Sequence, residues 1–183
     1  MSRRVVITGM GALSPIGNSV PQFYEGLRSG KNGISDITLF DTTDFAVKIA
    51  GEVKIDLTEH IDKKELNRID RFSAFALIAA DQAIEQSSIN NAPDLERVGV
   101  IIGSGIGGIR TFEDQHTRLL ASPRRVSPFF IPAMISDIAP GHISIKHGFK
   151  GPNYSVVSAC ATATHAIGDA FRMIKYGDAD AII

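Results

Sequence analysis

The sequence predicts an α/β protein with a mostly parallel sheet. Two observations carry that expectation: short β-branched runs that lack the polar alternation of a half-exposed strand, and helix-like stretches that alternate with them. The runs are Val5-Val6-Ile7-Thr8, Val98-Gly99-Val100-Ile101-Ile102, Tyr154-Ser155-Val156-Val157-Ser158 and Ala179-Asp180-Ala181-Ile182-Ile183.

Taken in order, the first run opens onto Gly9-Met10-Gly11-Ala12-Leu13-Ser14-Pro15-Ile16-Gly17, a tight strand-to-helix turn. Pro15 makes it a poor phosphate cradle, so the turn reads as structural. A helix follows near residues 20–29, then a short strand or hairpin near 47–53. Ala74, Leu77, Ile78, Ala80, Ala83 and Ile84 repeat at helical spacing and predict a longer helix over 71–87. After the second run comes Gly103-Ser104-Gly105-Ile106-Gly107-Gly108, which matches the GxGxxG dinucleotide fingerprint only literally. A dinucleotide fold requires a helix, a second strand and an acidic residue about 20 positions on. Position 123 is instead proline. The stretch reads as a glycine-rich turn that lets backbone approach a ligand or another segment.

Residues 110–151 differ from the rest. Pro123, Pro128, Pro132 and Pro140 are mixed with Phe129, Phe130, Ile131, Met134, Ile135 and Ile138, which predicts an apolar excursion with short helices. Such a surface packs on the chain's own core or on a second subunit, and the second is favoured. The third run leads into a helix reaching about Tyr176, with Gly177 as its C′ residue. The sequence closes at Ile182-Ile183, inside an apolar strand with no turn residue or cap, and this predicts a truncated chain, with a genuine terminal edge strand as the alternative.

Composition narrows the function classes. With 183 residues, 44% hydrophobic and 21% charged, the chain can bury a core. Its 19 basic and 20 acidic residues leave a formal net charge of −1, so no global field draws it to nucleic acid or anionic lipid. No run approaches the roughly 20 apolar residues that cross a bilayer. The start, Met1-Ser2-Arg3-Arg4, lacks a signal-peptide core, and the expected location is cytoplasmic. The single cysteine, Cys160, excludes an internal disulfide and is a poor start for a zinc site.

Cys160 is therefore inert core filler or a nucleophile. It lies in Ser158-Ala159-Cys160-Ala161-Thr162-Ala163-Thr164-His165-Ala166, where the third strand gives way to a helix. Free N–H groups and partial positive charge at a helix start favour thiolate over thiol and can hold an oxyanion. Small flanking residues keep the approach of a substrate carbonyl open. Ala161, Ala163, Ala166, Ile167, Ala170, Phe171 and Ile174 make the helix apolar on most sides, which predicts a buried nucleophile helix. His165, five residues on and so about 140° around the helix, is not placed to serve as its base. His116, His142 and His147 read as structural. Lys63-Lys64 with Arg68, and Arg124-Arg125, are either a solvated face or a docking patch for an acidic or phosphorylated partner.

Read together, residues 5–18, 103–108, Ser127-Pro128-Phe129-Phe130-Ile131-Pro132 and Ser158-Ala159-Cys160 resemble the β-ketoacyl-[acyl-carrier-protein] synthases over the whole chain, in order. Tyr176-Gly177-Asp178-Ala179-Asp180 and the Phe129-Phe130 pair look most like the synthase II branch, with synthase I as the alternative. The resemblance implies the N-terminal half of a thiolase-like fold, with a mixed, mostly parallel five-stranded sheet and the nucleophile helix between two such halves, in a homodimer. It implies that Cys160 is acylated from an acyl carrier protein and that its N–H is one oxyanion donor. Ile106 and Phe130 would line the acyl pocket, and Lys64, Arg68, Arg124 and Arg125 the carrier-protein face. The third strand would pair across the dimer axis. No cofactor is implied beyond the 4′-phosphopantetheine carried by the substrate. The family's two catalytic histidines, its lysine and the phenylalanine supplying the second oxyanion donor lie beyond residue 183, so this chain alone is expected to be inactive. A non-catalytic chain-length-factor-like partner shares the fold but lacks the nucleophile, and a thiolase acting on coenzyme A thioesters is disfavoured by the 127–132 segment.

Overall fold

The computed structural model describes residues 3–183. Helix α1 (Val20–Arg28) starts where the Ser19 hydroxyl accepts from the Gln22 N–H and Pro21 sits in the first turn, where its missing donor costs nothing. An antiparallel ribbon follows, β1 (Ser35–Asp36) with β2 (Ile49–Ala50). The buried Glu52 carboxylate pins its flank by accepting from the Thr38 N–H and hydroxyl and from the Leu39 N–H. After the short α2 (Lys63–Leu66), Asp70 caps α3 (Arg71–Ser87), whose Ala74, Leu77, Ile78, Ala80 and Ile84 form the largest apolar stripe of the core.

Strand β3 (Val98–Gly103) leads into α4 (Ile109–Ala121), α5 (Phe130–Met134) and α6 (Ile138–His147), and then β4 (Asn153–Val156), α7 (Thr162–Tyr176) and β5 (Ala181–Ile182) complete the chain. Strand β3 lies between β4 and β5, parallel to both. The chain steps from β3 to one edge and then back across to the other. Right-handed crossovers therefore put α6 and α7 on opposite faces, and α3 closes the core over α6. Val98, Val100, Ile143, Leu77 and Phe149 fill that core.

The α/β class and the element order are as the sequence predicts, with two differences. The expected five-stranded sheet has three strands among the described residues: β1 and β2 pair in a separate ribbon, and Val5-Val6-Ile7-Thr8 forms no ladder, with Ile7 82% exposed. Strand propensity needs a paired neighbour to take effect. The segment is held instead by Arg3 on Asp180, and by Gly9 and Gly11, where a β-carbon would collide with the Ala83 and Ala79 carbonyls of α3. Second, α7 is not a buried helix here. Only Thr162 and Ala166 are buried, while Ile167 is 68% and Phe171 44% exposed, because among the described residues no element covers its outer face. The short helices expected in residues 110–151 are present. Pro123, Pro132 and Pro140 fall in first helical turns, where no N–H is required.

Candidate active site

Both loops at the carboxyl ends of β3 and β4 face the same end of the sheet, the usual place for a site in an α/β fold. After β4 stops at Val156, Ser158 is tied to the start of α7 at three points. Its N–H donates to Thr162 Oγ1 at 2.8 Å, its carbonyl accepts from the Ala161 N–H at 3.1 Å, and its hydroxyl pairs with His165 Nδ1 at 2.6 Å. Between these anchors Ala159, Cys160 and Ala161 form one 3₁₀ turn. Ala159 has φ +50°, a left-handed conformation that costs a non-glycine residue about 1–2 kcal/mol. Cys160 sits exposed at the middle of the turn, two residues ahead of α7. Its N–H takes no acceptor from the described residues.

The loop 103–108 is pinned at both ends. At Gly103 a β-carbon would press on Thr162, and the Gly108 N–H donates to the Met134 carbonyl at 2.8 Å. Gly107, at φ +81°, leaves no room for a β-carbon beside Met134. Gly103, Gly107 and Gly108 thus serve contact with another segment. Ile106 projects from the loop, 70% exposed.

Phe130 opens α5 with its ring 6.2 Å from that of Phe112. It lines a cavity of about 190 Å³ with Arg68, Asp114, Gln115, Arg118 and Phe129, and Cys160 is not part of that lining. The Gly107 contact thus ties the loop that carries Ile106 to Met134 of α5, the helix that Phe130 opens. Arg68 stacks its guanidinium 4.9 Å over Phe129, joining the α2 side to the 127–130 segment. Lys64, Arg124 and Arg125 are exposed, and with Arg68 they make no ion pair among the described residues.

Three further histidines lie in local structural settings. His147 Nε2 lies 2.9 Å from Asp81, His116 stacks on Phe112, and His142 is half-buried, which pushes its pKa down against a weaker opposing pull from Glu65. Among the described residues no group of three or more His, Cys, Asp or Glu could hold a metal ion, and no helix is long and apolar enough to cross a membrane. Two features were not singled out from sequence. One is Arg118, which adjoins the basic set in space only. The other is the bracing of Ser158 by Thr162 and His165, which left no sequence signal because Ser158 lies outside α7 on an irregular backbone.

The family model described as Beta-ketoacyl synthase, N-terminal domain, matches residues 2–183. The chain is 52% identical over 185 residues to a 3-oxoacyl-[acyl-carrier-protein] synthase 2 of Staphylococcus aureus (strain COL), covering 100% of this chain and 45% of that protein. A protein of the same description from Synechocystis sp. is 48% identical over 184 residues, covering 99% of this chain and 44% of its own length. Among solved structures, the ishigamide ketosynthase/chain length factor has TM-score 0.88 at 25% identity, over 98% of this chain and 46% of that one. A type II PKS acyl-carrier protein in complex with its ketosynthase bound to the hexaketide gives 0.78 at 25% identity, over 98% and 49%. Fold and elbow together define a thiolase-like α/β protein of the ketosynthase kind. The chain belongs to the β-ketoacyl synthase family and spans its N-terminal half, about half the length of the curated relatives it matches.

Proposed function

We propose that the protein is a condensing enzyme of fatty acid elongation in which Cys160 carries the growing acyl chain. The observation that carries this is the exposed thiol on a strained turn ahead of α7, with its own N–H uncommitted. The Cys160 thiolate attacks the carbonyl of an acyl-carrier thioester, the N–H of Cys160 holds the oxyanion, and the bond to the phosphopantetheine sulfur breaks, releasing the carrier thiol. Malonyl-carrier protein then loses carbon dioxide, its enolate attacks the acyl-cysteine, and the Cys160 thiolate departs as β-ketoacyl-carrier protein forms.

Ile106 and Phe130 bound the acyl chain, and Lys64, Arg68, Arg124 and Arg125 receive the acidic carrier protein. Their support is the absence of competing ion pairs among the described residues and a structural relative described in complex with an acyl-carrier protein. No bound cofactor is required, since the phosphopantetheine arrives with the substrate. A cytoplasmic homodimer completes the proposal, supported by exposed Leu119, Leu120, Phe129, Ile131 and Ile145 in the excursion. Decarboxylation also needs groups that stabilise the enolate, and the role assigned to Cys160 is that of the acyl-carrying thiol. A chain-length-factor role is the second reading, favoured by one structural relative's description and opposed by the nucleophile itself.

The test is mass spectrometry of the full-length protein after exposure to an acyl-carrier thioester. An adduct at Cys160 that is lost in Cys160→Ser supports the assignment, and acylation at another residue overturns it.

A further inference from the structure

We propose that His165 is a positioning residue for acyl transfer: through the Ser158 hydroxyl it fixes the turn that presents Cys160. The inference rests on the assignment of Cys160 as the acylated nucleophile and adds a role for two residues that do not touch the reacting atoms.

Between the last ladder residue, Val156, and the first residue of α7, Thr162, the chain has no sheet partner. Val157 is exposed and Ser158 has an irregular backbone (φ −152°, ψ 43°). Ala159 then holds φ +50° without being glycine. A strained residue of this kind persists only where its surroundings over-determine it. The surroundings here are the contacts of Ser158 with α7: N–H to Thr162 Oγ1, carbonyl to the Ala161 N–H, and hydroxyl to His165 Nδ1, the shortest of the three at 2.6 Å. Thr162 is buried and fixed from behind by Gly103, so it is already rigid. His165 lies one turn further along α7 and is the one anchor made by a long, exposed side chain. Its removal leaves two backbone-proximal contacts and frees the Ser158 hydroxyl. Either tautomer of the ring serves, because serine both donates and accepts.

An oxyanion donor works only if its N–H is already aimed where charge develops, and small misplacement is costly in rate. A loosened elbow therefore slows acyl transfer more than it alters exposure of the sulfur. The experiment uses the full-length protein with His165→Ala, His165→Asn, Ser158→Ala and the His165→Ala/Ser158→Ala pair. Single-turnover acylation of Cys160 by an acyl-carrier thioester is compared with alkylation by iodoacetamide, alongside thermal unfolding.

His165→Ala and Ser158→Ala each slow acylation about tenfold to a hundredfold. The KM for the acyl donor and the alkylation rate stay within about threefold of wild type, the split that marks lost transition-state geometry. His165→Asn, whose amide replaces Nδ1, recovers most of the rate, and the double variant is no slower than either single one, as for two residues acting through one contact. Acylation within about twofold of wild type in Ser158→Ala or His165→Ala overturns the proposal, as do additive losses in the double variant. Should His165→Ala fail to fold, Ser158→Ala and His165→Asn decide it by the same criteria. Acylation of the wild type at a residue other than Cys160 removes the underlying assignment. Normal Cys160 acylation with unimpaired variants removes only the role of His165.

Discussion

A β-carbon built on Gly103 would stand 2.5 Å from Thr162 Cγ2 and 3.2 Å from the Thr162 carbonyl, so the end of β3 and the start of α7 are as close as two backbones can come at that point. Gly103→Ala forces one of them to move. The expected cost is about 1–3 kcal/mol, the range for overpacking a fitted contact. Urea denaturation measures that loss, and iodoacetamide labelling of Cys160 reports whether the elbow shifts with it. An unchanged midpoint would mean the two elements separate freely.

Asp70 joins two helices that are distant in sequence. One oxygen caps α3 by accepting from the Phe72 N–H, and the other accepts from the Thr111 N–H at 3.0 Å and hydroxyl at 2.6 Å. The residue is only 7% exposed, so its removal strands donors that water does not easily reach. Asp70→Ala is expected to cost about 2–4 kcal/mol, and Thr111→Val, which loses one hydroxyl donor, about 1 kcal/mol. Thermal unfolding of both variants checks the order.

Asp180 gives a pH signature. Hydrogen bonds from Arg97 and then Arg3 hold its carboxyl at about 2, below the ordinary 3.8. A carboxyl whose folded value is depressed favours the folded state while it is ionised in both states. That contribution is therefore present above about pH 4 and is lost as the pH falls toward 2. The difference in urea midpoint between wild type and Asp180→Asn should be constant above pH ~5 and close up below pH ~4. Because the group is exposed, added salt should shrink the difference as well.

Charge reversal tests the carrier face. Arg68→Glu, or Arg124→Glu with Arg125→Glu, should raise the KM for acyl-carrier protein about tenfold while changing kcat far less, and high salt should reproduce the effect in wild type. Steady-state kinetics with the carrier-bound substrate, set against a short pantetheine thioester that makes no such contacts, separates docking from chemistry. Equal losses on both substrates would argue against a docking role.

Elements defined by local pattern were legible from the residues alone. The stripe from Ala74 to Ile84 gives α3 its span, and Gly177, left-handed at φ +88°, ends α7 where expected. Cys160 could be placed at a strand-to-helix turn for the same reason, since Val156 and Thr162 bracket it within a few residues. Features that depend on distant partners were not legible. Val5-Val6-Ile7-Thr8 has the composition of a strand and no ladder, and α7 has the composition of a buried helix and an uncovered face. Prolines at 132 and 140 look like breakers until it is known which turn of a helix they occupy. The packing of Phe130 on Phe112 of α4 likewise depends on how α5 docks, a relationship with no local trace.

Fixing the 103–108 loop at its ends and not at its tip bears on how such a protein could diversify. A β-carbon on Gly105 would meet nothing within 4 Å, and neighbouring Ile106 projects outward while the anchoring glycines bear on Thr162 and Met134. Exchanging the residue at 106 for a bulkier or slimmer one leaves the framework untouched. Side-chain size at that position is therefore uncoupled from the packing that joins β3, α5 and α7, and a change there calls for no compensating change in the core.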